Sequence, residues 1–356
     1  MSHNHGRKVM SQVRQESGFR VGLVGATGAV GREALRILEA RRFPAAEIRL
    51  FASPRSAGTR VGHRTVNAVA PDAFRGLDVV IFDTPDDVAR ELVPQAAAAG
   101  AMVIDNSAAF RQDEDVPLVI PEVNAEALRR VPRRIIANPN CTVAAFAVPL
   151  APLHKAATLK RVIACSYQSV SGAGQRGVEQ LWAELEATVA SHRPLERPQG
   201  TAFAHPIALN LIPAIGSWRD SGFSEEIKVA AELRKMLGAP SLPVGVTCVR
   251  VPTVVGHGVA VHAEFDRPLN VARARALLAD APGVELVDEP AAGRYPTPLA
   301  AAGRDPCFVG RLRSDEAGGL AFFVVADNLR KGAALNAVQI AERLIEMGLL
   351  TSKVTS

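Results

Sequence analysis

Short apolar runs alternate with helix-like segments through residues 19–140 of the chain. The runs in "FRVGLVG", "EIRLFAS", "LDVVIFD", "AMVIDNS" and "RRIIANP" end at small or polar residues, and segments such as "AVGREALRILEA" and "DVARELVPQAAAAG" separate them. This alternation predicts a parallel, doubly wound sheet. Because the crossovers of such a sheet share one hand, the loops after Val24, Phe82, Asp105 and Ala137 are expected to gather at one edge.

From Leu159 onward the pattern is less regular. A long strand, "LKRVIACSYQ", breaks into a Ser- and Gly-rich loop, while "GVEQLWAELEATVA" and "SEEIKVAAELRKML" have helical spacing. Two strands joined by a turn follow in "VGVTCVRVPTVVGHGVAVHAEF", with further strands at 308–312 and 320–325. The final apolar-striped helix, "KGAALNAVQIAERLIEMGLL", is predicted to return to the first domain.

A glycine pattern lies between the first strand and the first helix. Gly25, Gly28 and Gly31 form G-x-x-G-x-x-G, which suits a tight turn, close approach of the backbone to a pyrophosphate, and a helix N-terminus aimed at it. The alternative is a generic turn between a strand and a helix. The strand–turn–helix context favours a Rossmann-type nucleotide-binding domain.

The end of the second strand bears on the choice of cofactor. NAD-specific folds usually place Asp or Glu there to hold the ribose 2′-hydroxyl, whereas this strand ends in Ser53-Pro54-Arg55-Ser56. No carboxylate is present to repel a 2′-phosphate, and Arg55 can pair with one through two hydrogen bonds. The sequence therefore favours NADP over NAD, with a surface arginine on a loop as the alternative.

A cysteine begins the helix that follows the strand in "RRIIANPNCTVAAF". The run stops at Asn138-Pro139-Asn140, and an apolar helical pattern begins with Cys141. A helix N-terminus favours thiolate, so the pKa of Cys141 is expected to lie below its free value of about 8.5. The alternative is a small core residue. Cys141 is expected at the same edge of the sheet as the glycine turn, which favours a nucleophile that lies beside a nicotinamide.

Three polar residues interrupt the apolar strands of the second half: Gln168, Arg250 and His257. Each alone is compatible with a structural role, as a hydrogen-bonded glutamine, a strand-edge arginine or a loop histidine. Together with Cys141 they suit acyl transfer, in which a thiolate attacks a carbonyl, a histidine shuttles the proton and an amide or N–H stabilises the oxyanion.

Composition narrows the class of protein further. A chain of 356 residues with 48% hydrophobic content suggests a globular enzyme of two domains. The net charge of +5 is spread along the chain, which argues against nucleic acid, and no apolar run approaches the ~18 residues of a membrane span. The polar residues 1–18 are expected to be a disordered extension. Four cysteines without paired spacing predict free thiols in a reducing cytoplasm, and no metal site.

Several motifs together resemble one known family. They are "VGATGAVG", "NSAAFR" leading into "VPLVIPEVN", "NPNC", "YQSVSGAG", "EEIK", "RVP" followed by "GH", and "DNLRKGAALNAVQIAE". From about Arg20 to the C-terminal helix the chain resembles the aspartate-β-semialdehyde dehydrogenases, NADP-dependent enzymes of lysine, threonine and methionine biosynthesis. The resemblance implies an α/β fold with a Rossmann-type NADP-binding domain and an α+β catalytic and dimerisation domain with a mixed sheet. It also implies a homodimer or a dimer of dimers.

The resemblance implies three catalytic residues and a domain division. Cys141 would form the acyl thioester, His257 would act as acid and base, and Gln168 would position the substrate. Residues 19–140 would bind NADP(H), completed by the helical segment 330–356, and residues 141–329 would carry catalysis and dimerisation.

The resemblance also implies binding residues. Arg250 and Glu225 would hold the substrate carboxylate and ammonium, and Arg111 and Lys228 the phosphate, with Asn140 nearby. The cofactor residues implied are Gly25, Thr27, Gly28, Ala29, Val30, Ser53, Arg55, Ser56, Ser171, Gly172 and Asn328.

The reaction implied is the reversible, NADPH-dependent reduction of L-aspartyl-4-phosphate to L-aspartate 4-semialdehyde and phosphate. One departure from the family lies in the turn "DTPDD", residues 83–87, where relatives often have Ser-Ala-Gly beside the cofactor. Two alternatives stay open. N-acetyl-γ-glutamyl-phosphate reductase shares the chemistry, although its cysteine usually follows Asn-Pro-Gly. A catalytically inactive relative that only binds nucleotide or assembles is the second.

Overall fold

The computed structural model describes residues 18–70 and 72–352. Except for Gly18, the predicted N-terminal extension lies outside these residues. The first sheet contains β1 (Phe19–Val24), β2 (Ala45–Ala52), β3 (Arg60–Val61), β4 (Arg64–Ala68), β5 (Val79–Phe82), β6 (Met102–Asp105) and β7 (Ile135–Ala137). Their order is β3-β4-β2-β1-β5-β6-β7, and every pair is parallel except β3 with β4.

Helices cover both faces of this sheet. They are α1 (Ala29–Ala40), α2 (Asp86–Ala98), α3 (Pro121–Asn124) and, from the C-terminus, α9 (Leu335–Glu346). In β5, Val79 and Ile81 pack into one apolar cluster with α1 and α9, whereas Val80 and Phe82 pack into a second cluster with α2. A strand buried on both faces is typical of a parallel sheet, and α9 from the C-terminus packs on one of these faces.

The second sheet is mixed. Its strands are β8 (Leu159–Gln168), β11 (Val244–Arg250), β12 (His257–Phe265), β13 (Val284–Leu286), β14 (Cys307–Ser314) and β15 (Leu320–Ala326), in the order β11-β8-β12-β15-β14-β13. A small hairpin pairs β9 (Trp218–Arg219) with β10 (Gly222–Phe223). The remaining helices are α5 (Gln175–Ser191), α6 (Ser224–Leu237), α7 (Val271–Ala279) and α8 (Pro298–Ala301). The predicted fold class is confirmed.

The helix α4 (Cys141–Ala157) joins the two sheets. It follows β7 directly and packs against β12, α6 and the π-helical segment Arg330–Ala334. Its sequence is apolar on nearly every side, and most of its residues are buried, as expected for a helix surrounded by protein. Its first residue is therefore held rigidly where the two halves of the chain meet.

None of the helices in the described part of the chain is long and apolar enough to cross a membrane. Within residues 18–70 and 72–352, no group of three or more His, Cys, Asp or Glu side chains is arranged to hold a metal ion. Each of the four cysteines is a free thiol.

Candidate active site

The glycine turn after β1 depends on the absence of side chains. Gly25 has φ +87°, and a Cβ added there would lie 2.0 Å from the Asp83 carbonyl oxygen. A Cβ on Gly31 would lie 2.3 Å from the Gly25 carbonyl oxygen, so the helix packs directly on the turn. Gly28 precedes α1 with no side-chain cap, which leaves the helix N-terminus available to an anion. This segment contains the predicted cofactor residues Gly25, Thr27, Gly28, Ala29 and Val30.

The end of β2 lies beside this turn. The backbone N–H groups of Gly25 and Ala26 donate to the Phe51 carbonyl at 2.9 and 3.1 Å. The chain then forms a 3₁₀ turn, Pro54–Ser56, in which the Ser56 N–H donates to the Ser53 carbonyl. Arg55 is exposed on this turn and forms no ion pair within the described residues. Ser53, Arg55 and Ser56 are thus grouped next to the glycine turn.

Cys141 occupies the N-terminus of α4, as predicted. Asn140 is the N-cap, and its Oδ1 accepts a hydrogen bond from the Thr142 N–H at 2.8 Å. A Cβ added to Gly332 would lie 2.7 Å from the Cys141 Cβ, so the π-helical segment packs against the nucleophile. The expectation of a low pKa is wrong. Burial raises the pKa of the Cys141 thiol to about 12, with Glu225 acting in the same sense, while Arg250 and Arg111 lower it.

His257 is fully buried at the start of β12. Its Nδ1 accepts a hydrogen bond from the Ser169 N–H at 3.1 Å, so the neutral ring carries its proton on Nε2. Nε2 has no hydrogen-bond partner among the described residues. Burial, with Arg250 acting in the same sense, lowers the pKa of His257 to about 3. The ring therefore presents a neutral N–H donor.

Strand register brings the other polar residues to His257. Arg250 and Gln168 are partners at the ends of the parallel strands β11 and β8, and β12 begins beside them. Arg250 donates from Nη1 to the Ser169 carbonyl at 2.7 Å. A Cβ on Gly172 would lie 2.8 Å from that nitrogen and 3.2 Å from the His257 Nε2, so only glycine leaves this space open.

Glu225 completes the group around Cys141 from α6. Its Oε1 accepts hydrogen bonds from Asn140 Nδ2 at 2.9 Å and from Gln168 Nε2 at 3.4 Å. The negative charge of Glu225 and the positive charge of Arg250 therefore both act on the Cys141 thiol. Opposite charges of this kind can hold the two ends of an amino acid.

Arg111 is buried beside the start of α4. Its Nε donates to the Asn138 carbonyl at 2.8 Å, its Nη2 to the Asn106 carbonyl at 2.7 Å, and its Nη1 to Glu232 at 3.0 Å. Lys228, half-buried on α6, forms no ion pair within residues 18–70 and 72–352.

Ser171 and Asn328 belong to a buried hydrogen-bond network behind His257. Asn328 Oδ1 accepts from the Gly256 N–H at 2.8 Å and from Ser169 Oγ at 3.0 Å, and its Nδ2 donates to Ser171 Oγ at 2.9 Å. The amide of Asn328 is thus occupied by the loops on either side of the histidine. Its direct effect is to fix Ser169 and, through it, the tautomer of His257.

Four further residues at the site were not predicted from the sequence. Ser169 orients His257, Gly332 contacts Cys141, and Glu232 and Lys235 hold Arg111. A signal for the last two exists in the spacing of α6. Glu225, Lys228, Glu232 and Lys235 follow one another at i, i+3, i+7 and i+10, which places four charges on one face of the helix.

Comparison with known families defines the class of this chain. Residues 20–131 match the family described as "Semialdehyde dehydrogenase, NAD binding domain". Residues 150–331 match "Semialdehyde dehydrogenase, dimerisation domain". Together with the fold and the cysteine site, these matches identify a semialdehyde dehydrogenase with a nicotinamide-dinucleotide-binding domain and a dimerisation domain.

Individual relatives narrow the class to one family. The aspartate-semialdehyde dehydrogenase of Streptomyces akiyoshiensis is 48% identical over 91% of this chain and 98% of its own length. The Aquifex aeolicus enzyme of the same name is 43% identical over 94% and 100%. The Vibrio cholerae aspartate semialdehyde dehydrogenase II structure, in complex with ASA, covers 93% of this chain and 99% of its own at 40% identity and a TM-score of 0.87. The chain belongs to the aspartate-semialdehyde dehydrogenase family, which confirms the resemblance in its sequence.

Proposed function

We propose that this enzyme reduces L-aspartyl-4-phosphate to L-aspartate 4-semialdehyde, reversibly, with NADPH and through a thioester on Cys141. The supporting observation is the position of Cys141, which follows β7 at the carboxyl edge of the first sheet and is acted on by the charges of both Glu225 and Arg250. The rival N-acetyl-γ-glutamyl-phosphate reductase acts on a substrate whose nitrogen is acylated and uncharged, so a carboxylate beside the thiol favours a free ammonium group.

The chemistry follows from the groups around the thiol. The Cys141 sulfur attacks the acyl carbon, the bond from that carbon to the phosphate oxygen breaks, and the leaving phosphate carries away the thiol proton. When bound, the nicotinamide cofactor would supply a hydride to the thioester carbonyl. As negative charge develops on the substrate oxygen, the Nε2–H of His257 can stabilise it through a hydrogen bond, and the sulfur that is released when the carbon–sulfur bond breaks takes up a proton from solvent.

Substrate recognition rests on two sets of charges. Arg250 would pair with the α-carboxylate and Glu225 with the α-ammonium group, while Gln168 orients the reacting carbonyl. Arg111 and Lys228, with Asn140 nearby, would bind the phosphate. A guanidinium already held in place by protein contacts binds an anion without losing further conformational entropy.

For the cofactor, we infer NADP rather than NAD. Arg55 is exposed, has no ion-pair partner within the described residues and lies where a ribose 2′-phosphate would be read. The Arg55→Ala variant should lose at least about tenfold in kcat/KM for NADP and little for NAD, since about 1.4 kcal/mol accounts for that factor. Equal losses for both cofactors would mean that Arg55 supports the loop and does not read the phosphate.

The open face of the second sheet supports a homodimer. Alternate residues of β8 point away from the core, and Ile163 and Tyr167 are 48% and 39% exposed on that face. Apolar side chains on an uncovered sheet face are suited to pairing with a second copy.

The four free thiols support a reducing, cytoplasmic location. We propose that residues 19–140, completed by residues 330–356, form the NADP-binding domain, and that residues 141–329 form the catalytic and dimerisation domain.

The deciding experiment is a phosphate-dependent oxidation assay with purified enzyme. Aspartate β-semialdehyde and N-acetylglutamate semialdehyde are compared, each with NADP and with NAD. The proposal expects phosphate-dependent NADPH formation from aspartate β-semialdehyde and at least about a hundredfold lower kcat/KM for the acetylated substrate, because the partly buried carboxylate of Glu225 would be left without its ammonium partner. Preference for the acetylated substrate would establish the rival reductase, and no turnover of either would indicate an inactive relative.

A further inference from the structure

A buried carboxylate links two parts of the site that the sequence assigns to different tasks. Glu232 is 1% exposed, and its Oε1 accepts a hydrogen bond from Arg111 Nη1 at 3.0 Å. Its Oε2 accepts one from the backbone N–H of Asn140 at 2.6 Å. One side chain therefore holds both the arginine proposed for phosphate and the peptide that precedes Cys141.

Arg111 is held at three points around its guanidinium. Besides Glu232, the Asn138 and Asn106 carbonyls accept from Nε and Nη2. A guanidinium has five N–H donors, so two remain without a hydrogen bond to the described residues. The contacts fix the plane of the fork and leave two donors on it for an anion.

The same helix holds the main chain of Arg111. Lys235, one turn after Glu232, donates from Nζ to the carbonyl oxygens of Arg111, Asp113 and Val116 at 2.8, 2.7 and 3.0 Å. Two residues of α6 thus hold Arg111: the Glu232 carboxylate contacts the Arg111 side chain, and the Lys235 ammonium group contacts the Arg111 backbone. Lys228 lies between these two contacts and Glu225 on the same face of the helix.

Stability alone does not explain this arrangement. A buried ion pair is often no more stable than apolar residues of the same volume, because both charges lose their hydration. Burial raises the pKa of Glu232, while Arg111 and the Asn140 N–H act against this shift. What the carboxylate provides is a fixed geometry between two groups, and catalytic rates are sensitive to displacements of about 1 Å.

We propose that Glu232 is a positioning residue for phosphate, which fixes the Arg111 guanidinium relative to the peptide that begins the Cys141 helix. The inference rests on the proposed function, since it assumes that phosphate is a product. Glutamine cannot replace Glu232, because one end of its amide is a donor and would face either the Asn140 N–H or Arg111 Nη1–H. One of the two contacts must then break.

The test compares Glu232→Gln with Glu226→Gln in the phosphate-dependent direction. Glu226 is a matched control on α6. Its carboxylate also accepts two backbone N–H groups, from Phe223 at 3.0 Å and Cys248 at 3.1 Å, but it has no contact with Arg111. For Glu232→Gln we expect the KM for phosphate to rise about tenfold to a hundredfold, with the Kd for NADP unchanged. For Glu226→Gln the KM for phosphate should stay within about twofold of wild type.

A double-mutant cycle separates positioning from general damage. In an Arg111→Lys background, the Glu232→Gln change should alter the KM for phosphate by less than about threefold, because its effect passes through Arg111. If Glu232→Gln does not fold, Lys235→Met provides a second route to the same loosened arginine and should also raise the KM for phosphate.

The outcomes are distinct. An unchanged or lower KM for phosphate in folded Glu232→Gln, or equal effects with and without Arg111, would overturn the positioning role. If Lys235→Met is the only folded variant, an unchanged KM for phosphate would do the same. Absence of phosphate dependence in the wild type would instead overturn the proposed function.

Discussion

Cys141 and His257 are both held in their uncharged forms by burial. The thiol has a pKa near 12 and the imidazole a pKa near 3, so at neutral pH neither group carries charge. The partial positive charge of a helix N-terminus falls off within a turn and is outweighed here by desolvation and by Glu225. The proton of the thiol must therefore move as the bond to carbon forms.

This state of the thiol can be tested by its reactivity. The rate of alkylation of Cys141 by iodoacetamide depends on the fraction of thiolate, so it should keep rising with pH from 6 to 10 without a plateau. Peptide mass spectrometry at each pH measures the rate at Cys141 alone. A plateau above about pH 7 would contradict the raised pKa.

Asp83 directly follows β5, in the short connection between β5 and α2. Its Oδ2 would be 3.7 Å from a Cβ on Gly28. Burial raises the pKa of Asp83 to about 6; Asn106 lowers this pKa and Asp105 raises it further. The unfolded chain loses this proton near pH 4, so stability falls as the pH rises from there to about 6. Above that pH the ionised carboxylate costs up to about 3 kcal/mol.

We therefore expect Asp83→Asn to raise the free energy of unfolding at pH 7.5 by up to about 3 kcal/mol and to leave it unchanged at pH 3.5. Denaturant titrations at both pH values measure the difference. Asp87→Asn, an exposed change in the first turn of the adjoining helix α2, serves as the control. A gain of the same size at both pH values would show that ionisation is not its cause.

At the scale of elements, the π-helical segment Arg330–Ala334 brings a distant part of the chain onto the nucleophile. Lys331 is buried and donates from Nζ to Glu122, Asn336 and Gln339 at 2.6, 2.9 and 2.8 Å. These bonds fix the segment, and Gly332 then packs against Cys141. π-helical turns inside helices are frequent at functional sites.

Gly332→Ala should displace Cys141 because the new Cβ would lie 2.7 Å from the Cys141 Cβ. We expect kcat to fall at least about tenfold while the Kd for NADP is retained. Gly245→Ala is the control, since a Cβ there meets nothing within 4 Å. A kcat for Gly332→Ala within about twofold of wild type would mean that the packing tolerates the methyl group.

The sequence predicts those parts of the site that depend on local patterns of residues. The glycine turn, the helix that begins at Cys141 and the isolated polar residues Gln168, Arg250 and His257 each stand out from their neighbours. Glu232 could not be recognised in this way, because its partner Asn140 is 92 residues away and a charged residue on a helix is usually exposed. The pKa of Cys141 was predicted wrongly for a related reason: burial is a property of the assembled fold.

At the scale of the whole molecule, the open face of the second sheet predicts the assembly. Ile163→Glu places a charge on that face without touching the catalytic residues. If two copies pair there, light scattering should give a dimeric mass or a multiple of it for the wild type and a monomeric mass for the variant. A variant that keeps the wild-type mass would exclude this face from the interface.

A thioester on Cys141 is tested most directly by acid quenching of the reaction followed by mass spectrometry. Enzyme is mixed with aspartate β-semialdehyde and NADP without phosphate, then digested. We expect one equivalent of NADPH and one aspartyl group on the peptide that contains Cys141, lost when phosphate is added and absent in Cys141→Ser. NADPH formation without this adduct, or an adduct on Cys165, Cys248 or Cys307, would contradict the mechanism.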